Sequence, residues 1–197
     1  MVIPGNVTSI GEGAFSGCHG LTSVTIGNGV TSIGNSAFYR CIGLTSVVIP
    51  SSVTNIGEGT FYECYGLTSV TITNSVTTIG NYAFYYCNSL TNITIPDSVI
   101  SIGNSAFFGC SGLTSMTIPD SVTSIGGYAF YYTNNMETIT FENKTKSQVQ
   151  AMPNYPWGAD YIQGGVSSRP IGVVVPDIPT GPTITFICSD GNIVLSK

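Results

Sequence analysis

Charge is what this chain has least of. Only 8% of its 197 residues are Asp, Glu, Lys or Arg, against about 25% in ordinary globular proteins. From residue 1 to 141 Arg40 is the only basic residue, facing Glu12, Glu58, Glu63, Asp97, Asp120 and Glu137. That leaves no basic stripe for phosphates, which disfavours nucleic acid as a partner. Residues 142–197 are balanced, with Lys144, Lys146, Arg169 and Lys197 against Glu142, Asp160, Asp177 and Asp190. His19 is the only histidine, which excludes most nucleophile–histidine–acid triads and histidine-rich metal centres. No apolar run is long enough to cross a bilayer. Phosphate loops, dinucleotide fingerprints, calcium loops and zinc-protease motifs are missing as well. Acid pairs such as Glu58 and Glu63 read as solvated carboxylates of a surface turn rather than as a glycosidase pair. No catalytic residue, cofactor or metal is expected. Asn6, Asn92 and Asn143 open N-x-T sequons, which matter only in a eukaryotic secretory pathway.

What the chain does have is a period. Ile10, Ile33, Ile56, Ile79, Ile102 and Ile125 recur every 23 residues, and Phe15, Phe38, Phe61, Phe84, Phe107 and Phe130 keep the same step. Cys18, Cys41, Cys64, Cys87 and Cys110 form a further column, broken by Thr133. Leu21 to Met136, Val24 to Ile139 and Ile26 to Phe141 complete the apolar pattern. No insertion interrupts residues 4–141, so the units are 4–26, 27–49, 50–72, 73–95, 96–118 and 119–141. A unit this short cannot close a core alone; stacked units bury equivalent side chains as continuous ladders.

Within each unit a segment such as Leu21-Thr22-Ser23-Val24-Thr25-Ile26 alternates and is rich in β-branched residues, which predicts a short strand. Successive strands are then expected about 4.8 Å apart in a parallel sheet. Val30, Ile33, Phe38 and Cys41 are expected to point inward on the return. The glycine after each isoleucine (Gly11, Gly34, Gly57, Gly80, Gly103 and Gly126) suggests a bend at positive φ.

The unit resembles a leucine-rich repeat of the BspA-like type, whose pattern runs close to P-x-S-V-T-S-I-G-x-x-A-F-x-x-C-x-x-L-T-S-V-T-I. The resemblance spans residues 4–141, and the departures (Thr133, Met136, Phe141) fall in the last unit. It implies a curved right-handed solenoid of the kind displayed at bacterial or protozoan surfaces, where such arrays bind host proteins or other cells. The expected fold is therefore an α/β solenoid-type leucine-rich repeat. It has six 23-residue coils, a short-strand parallel sheet on the concave face, few helices, and a C-terminal cap of helix and β-hairpin.

The cysteine column follows the structural period, so it reads as inward free thiols behaving as small hydrophobes, because parallel Cβ vectors bridge poorly. Cys188 lies outside the column and its state is open. Two surfaces are candidate binding faces. One is the outward side of the strands: Ser23, Thr25, Ser46, Val48, Ser69, Thr71, Asn92, Thr94, Ser115 and Thr117, with Thr138 and Thr140 after them. It reads either as solubility plus β-propensity or as a neutral hydrogen-bonding face. The other is aromatic: Tyr39, Tyr62, Tyr85, Phe108 and Tyr131 follow the phenylalanine column, and Tyr82, Tyr86, Tyr128 and Tyr132 cluster in the fourth and sixth units. It reads either as ring stacking between coils or as an amphipathic patch suited to interfaces and sugars.

The period stops at Glu142. Thr145-Lys146-Ser147-Gln148 fits a capping box, Val149 and Met152 give the short helix an apolar face, and Pro153 ends it. Residues 142–163 are expected to cap the sixth coil, with Trp157, the only tryptophan, over its open end. Residues 164–182, with four prolines, predict an extended segment. Residues 183–197 predict a terminal hairpin about Asp190-Gly191, its first strand adding to the sheet. Met1-Val2-Ile3-Pro4 repeats the end of a strand (compare Val48-Ile49-Pro50), so residues 1–141 are expected to be a fragment of a larger array or an array with a bare first coil. A bare coil offers an open edge for self-association.

These readings point to a non-catalytic recognition or adhesion module, extracellular or at a cell surface, with a protein or glycan partner. The alternative is a structural or receptor-binding appendage of a larger assembly, such as a phage or prophage tail protein, which would place the chain on a virion. The C-terminal order of helix, Pro-Trp-Gly and Ile-Cys-x-Asp-Gly is similar to endings found in BspA-like proteins of gut bacteria and their phages.

Overall fold

The structure, a computed structural model, describes residues 1–159 and 183–196. The extended segment expected over 164–182, residues 160–163 of the capping segment, and Lys197 lie outside the described residues. The chain winds as β1 (Val2–Ile3), β2 (Ser9–Ile10), β3 (Ser23–Ile26), β4 (Ser32–Ile33), β5 (Ser46–Ile49), β6 (Asn55–Ile56), β7 (Ser69–Ile72), β8 (Thr78–Ile79), β9 (Asn92–Ile93), β10 (Ser101–Ile102), β11 (Ser115–Ile118), β12 (Ser124–Ile125) and β13 (Thr138–Phe141). Then follow α1 (Lys146–Gln150), β14 (Thr183–Cys188) and β15 (Gly191–Ser196). The odd-numbered strands up to β13 form a front row and the even-numbered ones to β12 a rear row.

Front strands pair in parallel at a 23-residue step, as in Val47 with Val70 and Met116 with Ile139. Their alternation decides what is buried: Val24 and Ile26 point in while Ser23 and Thr25 face out. The front row is not one sheet. β1, β3, β5, β7 and β9 form one, and β11, β13, β14 and β15 another, so pairing stops between the fourth and fifth coils. The rear row divides differently, β2 with β4 and β6 through β12 together.

Between the rows each coil turns around the Phe column. Phe38 N–H donates to Thr60 O (2.9 Å), Phe61 N–H to Ala83 O (2.8 Å) and Phe84 N–H to Ala106 O (2.8 Å). The rings beneath stack at 5.2–6.1 Å, nearly parallel, and Phe38, Phe61, Phe84 and Phe107 are fully buried. Beside them Cys41, Cys64, Cys87 and Cys110 are buried free thiols, while Cys18 in the first coil is exposed. Each buried thiol donates to a phenylalanine carbonyl of the previous coil: Cys64 Sγ to Phe38 O at 3.1 Å, Cys87 Sγ to Phe61 O at 3.1 Å. Cys188 is a buried free thiol as well.

The glycine after each isoleucine is not at positive φ, which corrects the expectation for Gly11, Gly34, Gly57, Gly80, Gly103 and Gly126. Its reason is close approach between coils. A Cβ on Gly34 would lie 2.5 Å from Glu12 N, and one on Gly103 2.5 Å from Asn81 N; Gly11, in the first coil, would meet nothing within 4 Å. The left-handed backbone falls instead on two other columns. One holds Gly13, Ser36, Gly59, Tyr82, Ser105 and Tyr128; the other holds Gly17, Arg40, Glu63, Tyr86, Gly109 and Tyr132.

After the sixth coil, Thr145 caps α1 and Gln148 completes the capping box, which satisfies two otherwise unpaired N–H groups. Trp157 is fully buried, with ring centroids 5.6 Å from Phe141, 5.7 Å from Phe186 and 6.3 Å from Phe130. Its indole N–H donates to Pro153 O (2.6 Å). Phe130 N–H donates to Trp157 O (3.1 Å), so the cap accepts the bond that a further coil would accept. β14 continues the front row in parallel beside β13, and β15 pairs with it antiparallel. Asp190 of the hairpin turn accepts from Lys146 N–H (2.7 Å), tying hairpin to helix.

Candidate functional site

The outward side chains of the front row lie where alternation puts them: Ser23, Thr25, Ser46, Val48, Ser69, Thr71, Asn92, Thr94, Ser115 and Thr117 are all exposed. Val48, at 55%, is the exception in polarity. Thr138 and Thr140 are half-buried beside the hairpin strand. Below these positions the threonines before β5, β7 and β9 reinforce the stack. Thr45 Oγ1 donates to Thr22 O and Thr68 Oγ1 to Thr45 O, at 3.0 and 2.9 Å. Where pairing stops, a cleft of about 470 Å³ opens, lined by Asn74, Asn92, Thr94, Asp97, Ser115, Thr117 and Glu142, with Ile93 and Ile95 as apolar lining. The sequence reading missed this cleft by treating the front row as uniform. The available signal was Asn92, which stands where other coils carry Ser or Thr; asparagine is depleted in strands, and β9 is two residues long where β7 and β11 have four.

The aromatic residues form a second ladder outside the phenylalanine one. Tyr39, Tyr62, Tyr85, Phe108 and Tyr131 stack successively at 5.0, 4.5, 4.6 and 5.0 Å, within 20° of parallel. All five are half-buried. Tyr82, Tyr86, Tyr128 and Tyr132 stand across this ladder. Tyr82 meets Tyr85 at 5.7 Å and 69°, and Tyr128 meets Tyr131 at 5.6 Å and 81°. Tyr86 and Tyr132 are perpendicular to Tyr85 and Tyr131 on the other flank. The structure thus joins all eight tyrosines singled out from sequence, with Phe108, in one contiguous aromatic surface. Burial, with Tyr85 and Glu63 close by, pushes the Tyr62 hydroxyl up to about 12. Burial raises Tyr85 as well, with Tyr86 beside it. These phenols stay neutral donors through the physiological range. Among the described residues the ion pair beside the ladder is Arg40 with Glu63 at 3.1 Å, in the second and third coils.

Among the described residues no group of three or more His, Cys, Asp or Glu could hold a metal ion. Nor is any described helix long and apolar enough to cross a membrane. The four inner thiols are held neutral chiefly by burial: Cys41 is pushed up to about 11, and Cys64, Cys87 and Cys110 are raised further.

The BspA type leucine rich repeat region matches residues 1–88 and 77–152, in six copies. The chain belongs to the BspA-type leucine-rich repeat family. Among solved structures it is similar to a leucine rich cell surface protein of Faecalibacterium prausnitzii, at 42% identity and TM-score 0.64, over 72% of this chain and 38% of that one. A leucine-rich repeat protein of Bacteroides ovatus matches at 38% identity and TM-score 0.67, over 71% of this chain and 36% of that one. The leucine rich repeat protein of T. pallidum matches at 28% identity and TM-score 0.62, over 67% and 62%. The chain therefore spans well under half the length of the first two. No curated protein matches it. Besides Thr133, Met136 and Phe141 in the last unit, this BspA-type array departs from its repeat at Val48 and Asn92 on the front row, and it carries Tyr82, Tyr86, Tyr128 and Tyr132 on the turns.

Proposed function

We propose that this chain is a non-catalytic recognition and adhesion module, working at a cell surface, that binds a protein or glycan partner through its solenoid surface. The observation that carries this reading is the outer aromatic surface. Nine rings are organised in one sheet on the outside of the coils, and Tyr82 and Tyr128 remain 39% and 62% exposed. Tyrosines presented this way give contact area at low conformational cost and are enriched at interfaces. Two points support it. The BspA-type fold is a repeat scaffold that exchanges compactness for extended surface, and the F. prausnitzii relative, at 42% identity, is described as a cell surface protein.

The test is a printed array of glycans and extracellular-matrix proteins probed with the purified, labelled chain. Saturable binding that unlabelled chain competes away is the expected outcome. Binding to no feature of the array at micromolar chain would remove the reading.

A further inference from the structure

Resting on that recognition reading, we infer that Tyr82 and Tyr128 are two flat platforms spaced to hold one neutral, extended polysaccharide chain. Both faces of Tyr85 are covered, by Tyr62 at 4.5 Å and Phe108 at 4.6 Å. Tyr82 therefore meets the edge of Tyr85, and one of its own faces covers that edge. The Tyr82 ring is 39% exposed, which leaves area for a ligand beyond that contact. Tyr128 repeats the geometry on Tyr131 two coils later. The rings between them step 4.6 and 5.0 Å, so the platforms stand roughly 10 Å apart, two strand spacings. The same column holds Ser105 between them, small and buried, so that column carries no third ring in the intervening coil.

The backbone makes the choice of tyrosine informative. Tyr82 and Tyr128 sit at φ 55° and 58°, a region where a side chain bearing Cβ is strained and glycine is favoured. The equivalent positions in other coils are Gly13, Ser36, Gly59 and Ser105. Each ring holds such a position while leaving much of its surface to solvent, 39% for Tyr82 and 62% for Tyr128, and strain of this kind concentrates at functional sites. The cap approaches the backbone under the second platform: a Cβ on Gly158 would lie 3.0 Å from the Tyr131 side chain and 3.3 Å from Tyr128 Cα.

Ring chemistry and charge select the ligand. The face of a tyrosine ring is electron-rich. One face of a hexopyranose carries axial C–H bonds of weakly positive character, with its equatorial hydroxyls left to water. An equatorially linked chain is a flat ribbon that turns the same face to one side at every second sugar, an interval comparable to that between the platforms. Residues 80–88, 103–111 and 126–134, which build this surface, contain no charged side chain, so a charged polymer would find no partner there.

The experiment is calorimetric titration of the whole chain with linear β-1,4-linked gluco-oligosaccharides of two and six units, with an α-linked six-unit oligomer as the curved control. The six-unit β-linked oligomer should bind more tightly than the two-unit one and more tightly than the control. Tyr82→Ala and Tyr128→Ala should each weaken it roughly tenfold, the scale of one aromatic stacking contact, with circular dichroism unchanged. Equal affinity for the three oligomers, or unchanged affinity in both variants, overturns the inference. So does no binding to any oligomer; if a protein on the array still binds, the recognition reading survives that result, and if nothing binds, both fall.

Discussion

Two aromatic ladders run side by side through this molecule, one buried and one half exposed. The inner one, Phe15 to Phe130, stacks at 5.2–6.1 Å and is sealed from water over five of its six rings. The outer one, Tyr39 to Tyr131, stacks at 4.5–5.0 Å and borders solvent. Sequence period does not distinguish them, since both obey the 23-residue step. Their surroundings do. The inner ladder meets the same cysteine, leucine and glycine columns in nearly every coil. The outer ladder is flanked by crosswise tyrosines in the fourth and sixth coils alone, with Ser105 and Gly109 at the equivalent places in the fifth. Regularity in such an array reports the stack, and departures from regularity report what one stretch of it does that the others do not.

The sharpest way to break the comparison is to remove one rung from each ladder. Phe84→Ala opens a fully buried cavity and should lower unfolding free energy by about 3–5 kcal/mol. Tyr85→Ala, one residue on, should lower it by about 0.5–1.5 kcal/mol, the worth of an aromatic contact at a half-exposed site. Urea denaturation of both variants gives the ratio, and equal losses would mean the outer ladder is core by another name. The second comparison sets an interior coil against the first. Gly103→Ala drives a methyl against the backbone of the previous coil and should cost about 1–3 kcal/mol, as overpacking does. Gly11→Ala, which meets nothing within 4 Å, should be close to neutral in the same assay.

A third effect is on alkaline stability. A thiol or phenol whose folded value is raised contributes stability that is intact below its unfolded value. That contribution is lost as pH climbs through the folded one, because the unfolded chain gives up its proton first. For Cys41 that window runs from 9.0 to about 11, and for Tyr62 from 10.0 to about 12. The urea midpoint should be flat from pH 6 to 8 and fall steadily above pH 9. A midpoint unchanged at pH 10.5 would show that the column thiols ionise freely in the folded state.

Much of this was legible in advance, for a physical reason. Coils that cannot fold alone must repeat their buried residues, so Ile33, Phe38, Cys41 and Leu44 announce themselves by period. The capping box was equally plain, because Thr145 and Gln148 satisfy each other within one turn. The glycines were misread because a demand for small size and a demand for positive φ leave the same residue in the sequence. Only the neighbouring backbone tells them apart. The left-handed columns were hidden for the opposite reason, since Tyr82, Arg40 and Glu63 are residues that pattern reading does not associate with that conformation. As for the front cleft, one asparagine among serines was a faint mark of a sheet that parts there.

The cap has an implication for how proteins of this kind change length. Trp157 O receives the amide of Phe130 much as Ala129 O receives that of Phe107, so the closing piece recognises a rung and not its number in the row. Gene duplication or deletion of whole units upstream leaves that recognition untouched. Reach can therefore evolve as a quantity separate from closure, one turn at a time, with the same short stopper serving rods of every size.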